Sequence, residues 1–188
     1  MIERLLLVVI ALFPISEVAL ALIKRSRGRS AQSEDKGSLR LLWVCIVLGV
    51  VLAFAARRIP SALVAVSPSV VNLVALALMV FGLVVRWAAI VTLGRLFTVD
   101  VAIHADHEVV QTGLYRHVRH PSYTGLLIAF LGFGVSFSNW LSMLVLLVPI
   151  ILGMLNRVNK EENALRRSLG PAYAAYCERT KRFIPGVL

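Results

Sequence analysis

Apolar positions in this chain run in long unbroken blocks, without the alternation of a half-buried strand or the one-sided stripe of a soluble helix. Blocks of that length predict membrane-spanning helices, which need about 20 mostly apolar residues. Five are predicted, over residues 5–23, 39–56, 66–93, 123–137 and 140–155. Pro14 and Glu17 interrupt the first, and the third is long enough to tilt or to extend beyond the bilayer. Only Ser138 and Asn139 separate the last two, which predicts a tight antiparallel hairpin. The fourth is short for a span, so it is either buried in the bundle or begins before Tyr123.

The pattern changes after Arg157. Leu165, Leu169, Tyr173 and Tyr176 recur at helical spacing among charges, which predicts an amphipathic C-terminal helix that Gly170-Pro171 bends or restarts. Residues 26–37 are rich in Ser, Gly and charge and read as a loop. The first apolar block outlasts a signal-peptide core and has no small-residue cleavage site, so it reads as a retained helix. The expected fold is one all-α integral membrane domain over residues 1–188. It has about five transmembrane helices, a helical hairpin and a cytoplasmic C-terminal helix.

Composition and charge sharpen this picture. Of 188 residues, 59% are apolar, against about 45–50% in a soluble domain. A net charge of +10 would suit nucleic acid, but the apolar runs leave no basic face on a soluble scaffold. Anionic lipid headgroups and membrane topology explain it better. Six Lys/Arg fall in residues 24–40, three in 95–119 and seven in 157–182, all on one side if five helices span. Arg4, Arg57 and Arg58 fall on the other. The richer side is expected to be cytoplasmic, with the C-terminus inside. Cys45 and Cys177 have no CxxC or Cys/His spacing, so neither a disulfide framework nor a zinc site is implied.

Candidate chemistry concentrates in residues 96–125 and 157–162. The first stretch holds all four histidines with Asp100, Asp106, Glu108, Tyr115, Arg116, Arg119 and Tyr123. His104 and His107 are three apart, as are His117 and His120, a spacing that serves metal ligands on facing helices. Pro121, however, biases His120 toward extended geometry, and no carboxylate completes a ligand set, so hydrogen-bonding histidines are expected and no metal. In the second stretch Arg157 and Glu161 share a helix face. They form either an ordinary i,i+4 ion pair at a helix end or part of a site.

Residues 107–125 read His-Glu-Val-Val-Gln-Thr-Gly-Leu-Tyr-Arg-His-Val-Arg-His-Pro-Ser-Tyr-Thr-Gly. This resembles the G-x-Y-x-x-x-R-H-P-x-Y-x-G signature of the isoprenylcysteine carboxyl methyltransferase family and its phospholipid methyltransferase relatives. Arg157, Glu161-Glu162, Leu165, Gly170, Tyr173, Tyr176 and the terminal Arg182-Phe183-Ile184-Pro185 match a second, ordered part of that pattern. The resemblance covers residues 75–188, whereas residues 1–65 hold two helices without a recognisable signature.

The resemblance implies a helical membrane enzyme that transfers a methyl group from S-adenosylmethionine to a lipidic acceptor, leaving S-adenosylhomocysteine. The chain has no strand–Gly-rich loop–helix unit of the soluble Rossmann kind. By the family's pattern, cofactor contacts fall on His107, Glu108, Val109, Val110, Tyr115, His120, Pro121, Ser122, Tyr123 and Glu161, with Asp100 aligning loosely. Arg157 matches the position that approaches the acceptor, and Glu161 and Glu162 are the further catalytic candidates. Carboxyl O-methylation of a prenylcysteine-type or other isoprenoid substrate is the nearest activity. The alternatives are N-methylation of a phospholipid amine and a non-catalytic membrane protein that kept the fold. The expected partners are the acceptor and membrane lipids, not nucleic acid.

Overall fold

Each of the five apolar blocks forms a helix in the computed structural model, which describes residues 1–23, 32–35, 37–97, 101–103 and 109–184. The helices are α1 (Ile2–Ile23), α2 (Gly37–Ala56), α3 (Pro68–Leu93), α4 (Pro121–Val135) and the 40-residue α5 (Trp140–Arg179). All but α4 are long and apolar enough to cross a membrane. At 1.5 Å per residue α4 is about 22 Å long, short of a hydrocarbon core of about 30 Å. It resolves the two options for this block by taking both: it begins at Pro121, before Tyr123, and lies within the bundle with Gly125, Leu126, Ala129, Phe130 and Gly132 buried.

Glycine sets the closest helix contact. A Cβ at Gly125 would lie 2.5 Å from the backbone of Gly82 and Arg86, and one at Gly132 would lie 2.8 Å from the Ala75 carbonyl. Small residues on both sides thus bring α3 and α4 into backbone contact, as in tightly packed membrane helix pairs. Around that seam Phe13, Met79, Leu126, Phe130, Leu146, Ile150 and Met154 form the core. The outward faces of α1, α2 and α3 are apolar and exposed, for example Leu12, Val44, Leu73, Phe81 and Val84. That is the surface hydrocarbon would solvate.

The α4–α5 hairpin closes through residues 136–139. Ser138 takes a positive φ of 49°. Asn139 caps α5 by accepting from the Ser142 amide at 2.9 Å, and its own amide donates to the Ala56 and Ile59 carbonyls at the end of α2. Ser142 donates to the Ala53 carbonyl at 2.9 Å. These bonds place the end of α2 and the start of α5 at one end of the bundle. The ends of α1 and α3, the starts of α2 and α4 and the middle of α5 meet at the other, where the polar residues gather.

α5 runs through the expected boundary near Arg157 without a break, so the fifth span and the amphipathic C-terminal helix are one element. The 30 residues before Gly170 rise about 45 Å, half as long again as a hydrocarbon core. The kink comes at Gly170 (φ 50°, ψ −127°), and Pro171 restarts the helix, as Gly-Pro predicts. To the helices the structure adds a small antiparallel ribbon, β1 (Gln32–Asp35) beside β2 (Val101–Ile103), with Gln32 opposite Ile103. Residues 32–35 lack the apolar alternation that marks a strand, so the ribbon left no trace in the hydrophobic pattern.

Candidate active site

The segment 113–120 links the ribbon region to α4, and the C-terminal residues hold it in place. Gly113, at φ 56°, opens the 3-10 turn Gly113–Arg116. The Arg119 amide donates to the Lys181 carbonyl at 2.7 Å, the His120 amide to the Arg182 carbonyl at 3.0 Å and the Lys181 amide to the His117 carbonyl at 3.3 Å. The Tyr176 hydroxyl donates to the Tyr115 carbonyl at 2.7 Å, and the Arg119 guanidinium donates to the carbonyls of Cys177 and Thr180. Pro121, buried at the first position of α4, cannot continue this pairing and starts the helix instead.

Glu161 and Glu162 are neighbours in sequence and about 100° apart around α5. Glu162 is 2% exposed and does not line the cavity. Its carboxylate accepts from Arg119 Nε at 3.0 Å and Arg182 Nη2 at 2.7 Å, and lies 3.2 Å from His120 Nε2. It therefore ties α5, the 113–120 segment and the C-terminus together. Glu161 faces the other way. Tyr123 donates its hydroxyl proton to Glu161 Oε2 at 2.9 Å while accepting from Arg157 Nε at 2.9 Å, and Arg157 Nη1 donates to Ser38 Oγ at 3.1 Å. The i,i+4 neighbours Arg157 and Glu161 are thus bridged by a phenol. Arg157, at 3% exposed, is no solvated helix-end charge.

One cavity of about 410 Å³ collects these groups. Val109, Val110, Tyr115, His120, Ser122, Tyr123, Arg157 and Glu161 line it. Its polar end also includes Arg119, Tyr173 and Tyr176. Burial, and then the charge on Glu161, pushes the Tyr115 phenol up, so it remains a hydrogen-bond donor. From Arg157 the cavity continues as an apolar channel between α1 and α2, walled by Phe13, Trp43, Ile46, Val50, Phe130 and Phe133. α1 packs along α3 and α2 along α5, so the two channel walls belong to different helix pairs. From Ser38 to Phe54 the α2 wall rises about 24 Å.

His107 and Glu108, with the loosely aligned Asp100, lie outside the described residues. Among the described residues no three of His, Cys, Asp and Glu gather as metal ligands, and His117 is exposed while His120 is buried. Several participants carried no motif in the sequence. Ser38 is an ordinary polar residue until the fold sets it against Arg157, whereas Arg119 and Arg182 lie in the quoted motifs but gave no sign that both would converge on Glu162. Buried Arg86 and partly buried Glu17 form an ion pair in the cavity wall, and a charge inside an apolar span is the signal that would have flagged both.

Comparison with known proteins agrees with this architecture. A model of the isoprenylcysteine carboxyl methyltransferase (ICMT) family matches residues 74–167, half of the chain. A probable protein-S-isoprenylcysteine O-methyltransferase of Oryza sativa subsp. indica is 34% identical over 117 residues, covering 61% of this chain and 61% of that protein. Protein-S-isoprenylcysteine O-methyltransferase B of Arabidopsis thaliana is 33% identical over 114 residues, covering 60% of this chain and 58% of that protein. The solved structure of the eukaryotic intramembrane Ras methyltransferase ICMT, without a monobody, superimposes with a TM-score of 0.68 at 26% identity, over 95% of this chain and 64% of that one. The chain thus spans less than two thirds of the length of these relatives. The shared fold and the apolar helices make it a multi-pass integral membrane protein. With a family model over half its length and that fold over nearly all of it, the chain belongs to the isoprenylcysteine carboxyl methyltransferase family.

Proposed function

We propose that the chain is an S-adenosylmethionine-dependent methyltransferase that esterifies the carboxylate of a prenylcysteine-type lipid. The observation that carries this reading is one continuous cavity that joins a polar chamber to an apolar channel, with Arg157 at the junction. A volume of about 410 Å³ is within the usual range of small-molecule sites. The chamber suits a zwitterionic nucleoside: Glu161 accepts from an ammonium or a ribose hydroxyl, and Tyr115 and Tyr123 offer ring faces. The Tyr173 hydroxyl is buried in that wall without a hydrogen-bond partner among the described residues, which a polar ligand would supply. His107, Glu108, Val109, Val110, Pro121 and Ser122 complete the proposed cofactor set. Glu162 serves it indirectly by holding His120.

When bound, S-adenosylmethionine supplies a methyl group on a sulfonium, ready for in-line displacement. The acceptor needs no strong base, because a carboxylate is already ionised near pH 7. Arg157, held by Tyr123 and Ser38, presents its guanidinium to that carboxylate and keeps it on the line of attack. Glu161 fixes the direction of the Tyr123 proton, so the phenol oxygen faces Arg157. The apolar walls exclude water from a step in which opposite charges disappear. The prenyl chain lies between α1 and α2, which makes residues 1–65 part of one domain with 75–188. The Lys/Arg excess assigns the chamber and the C-terminus to the cytoplasmic side.

The test is calorimetric titration of S-adenosylhomocysteine into detergent-purified protein, followed by methyl transfer to a farnesylcysteine acceptor. Binding that disappears in His120→Ala, together with ester formation, is expected. Folded protein that binds nothing overturns the reading, and methylation of phospholipid amines alone replaces the acceptor. A reporter fused to the C-terminus should read cytoplasmic.

A further inference from the structure

Glu17 and Arg86 have no part in the chemistry proposed so far, yet both line the cavity at membrane depth. Glu17 sits six residues before the end of α1 and Arg86 seven before the end of α3. That is about 9–11 Å inside the helix ends. Arg86 Nε and Nη2 each donate to one Glu17 oxygen at 2.5 Å. Its third nitrogen, Nη1, donates to Ser122 Oγ at 3.0 Å and to the Ser122 carbonyl at 3.3 Å. The two side chains are only 8% and 14% exposed.

A buried pair of this kind is weak evidence for stability, since an apolar pair of similar volume often serves as well. Its geometry says more. A bidentate fork fixes the plane of the guanidinium, which a point charge would leave free. The nitrogen left over grips the residue that precedes Tyr123, in a helix turn whose N-cap, His120, makes no side-chain cap. α1 therefore reaches the reaction centre through three linked groups: Glu17 holds Arg86, Arg86 holds Ser122, and Ser122 adjoins the phenol that bridges Arg157 and Glu161.

We propose that Glu17 and Arg86 are a positioning pair that sets the first turn of α4, so that the Tyr123 hydroxyl stands between Arg157 and Glu161. The proposal rests on the methyltransferase reading. Neither residue touches the reacting atoms; both act through Ser122 and Tyr123.

Steady-state methyl transfer to farnesylcysteine, with melting temperature measured alongside, separates positioning from simple bracing. Arg86→Gln leaves Glu17 unpaired, so it should lose both stability and turnover. The double variant Glu17→Gln/Arg86→Gln removes both charges and should melt close to wild type. Its kcat should stay at least about tenfold down, with acceptor KM within about threefold, because misplacement acts on the reacting geometry. A double variant with wild-type kcat would show that the pair only braces the bundle and overturns the proposal. If the double variant does not fold, Arg86→Lys decides. It keeps a cation beside Glu17, but one ammonium cannot span Glu17 and both Ser122 acceptors, so kcat should again fall about tenfold. Full kcat in that variant overturns the proposal. A wild-type protein that methylates no acceptor overturns the methyltransferase reading and this proposal with it, whereas an active wild type with unaffected variants removes the proposal alone.

Discussion

Replacing Tyr123 with Phe removes a single oxygen that makes two charge-assisted hydrogen bonds, one from Arg157 Nε and one to Glu161 Oε2, both at 2.9 Å. The ring keeps its place against His120, 5.8 Å between centroids, so packing changes little. Hydrogen bonds to charged groups are worth about 1.5–3 kcal/mol each. The full sum will not appear in the rate. Once the phenol is gone, Arg157 and Glu161 are i,i+4 neighbours that can pair directly, which recovers part of the loss and draws Arg157 away from the acceptor. Roughly one bond's worth, about 1.5–3 kcal/mol, then separates the variant's transition state from that of the wild type, a fall in kcat of roughly 10- to 150-fold. The assay is methyl transfer from labelled S-adenosylmethionine to farnesylcysteine at saturating acceptor, with S-adenosylhomocysteine affinity measured separately by calorimetry. Affinity should change less than kcat. A variant within twofold of wild-type kcat would refute the idea that the phenol holds Arg157 in register.

Glu161→Ala should abolish S-adenosylhomocysteine binding in protein that still folds, and normal affinity would remove Glu161 from the site. Arg157→Ala should keep cofactor binding and lose turnover; unchanged turnover would return Arg157 to the role of a structural cation. Glu162→Gln strands Arg119 beside His120 and should cost about 3–5 kcal/mol, the usual result of breaking a buried pair. Its Arg182 contact contributes less, because Arg182 is 38% exposed. Thermal unfolding in detergent should show this loss with little change in the apolar channel. Gly125→Ala pushes a methyl group to 2.5 Å from the α3 backbone, so α3 and α4 must separate. Overpacking of this kind costs about 1–3 kcal/mol or more, and an unchanged melting temperature would contradict the close contact.

The helices were legible because lipid imposes one simple demand, a run of apolar residues long enough to cross it. The same demand hides where such a run stops being membrane. α5 continues from its apolar part into a charged helix because Arg157, Asn159 and Lys160 are tolerated in helices, so nothing local marks a boundary until Gly170. The polar motifs were legible as candidates because their spacing is fixed by short-range geometry. What they touch was not. Glu161 and Glu162 are identical side chains one residue apart, and only the placement of α4 and the C-terminus assigns one to the cavity and the other to Arg119, Arg182 and His120.

The two N-terminal helices show why half a site can lack a signature. Under the proposed function the channel takes a prenyl chain, which asks of its walls only apolar surface of suitable shape, and Phe13, Trp43, Ile46 and Val50 are residues common to any membrane helix. Dispersion and solvent exclusion are non-directional, so many side-chain combinations serve equally and none is singled out by its type. A charged group has no such latitude, because its partners must lie within about 3 Å and in the right plane. That contrast makes Glu17 and Ser38 informative beyond their numbers. They are polar side chains from α1 and α2, and each meets an arginine that lines the cavity, Glu17 on Arg86 and Ser38 on Arg157. Through those two contacts, helices without a motif are joined to the groups that have one.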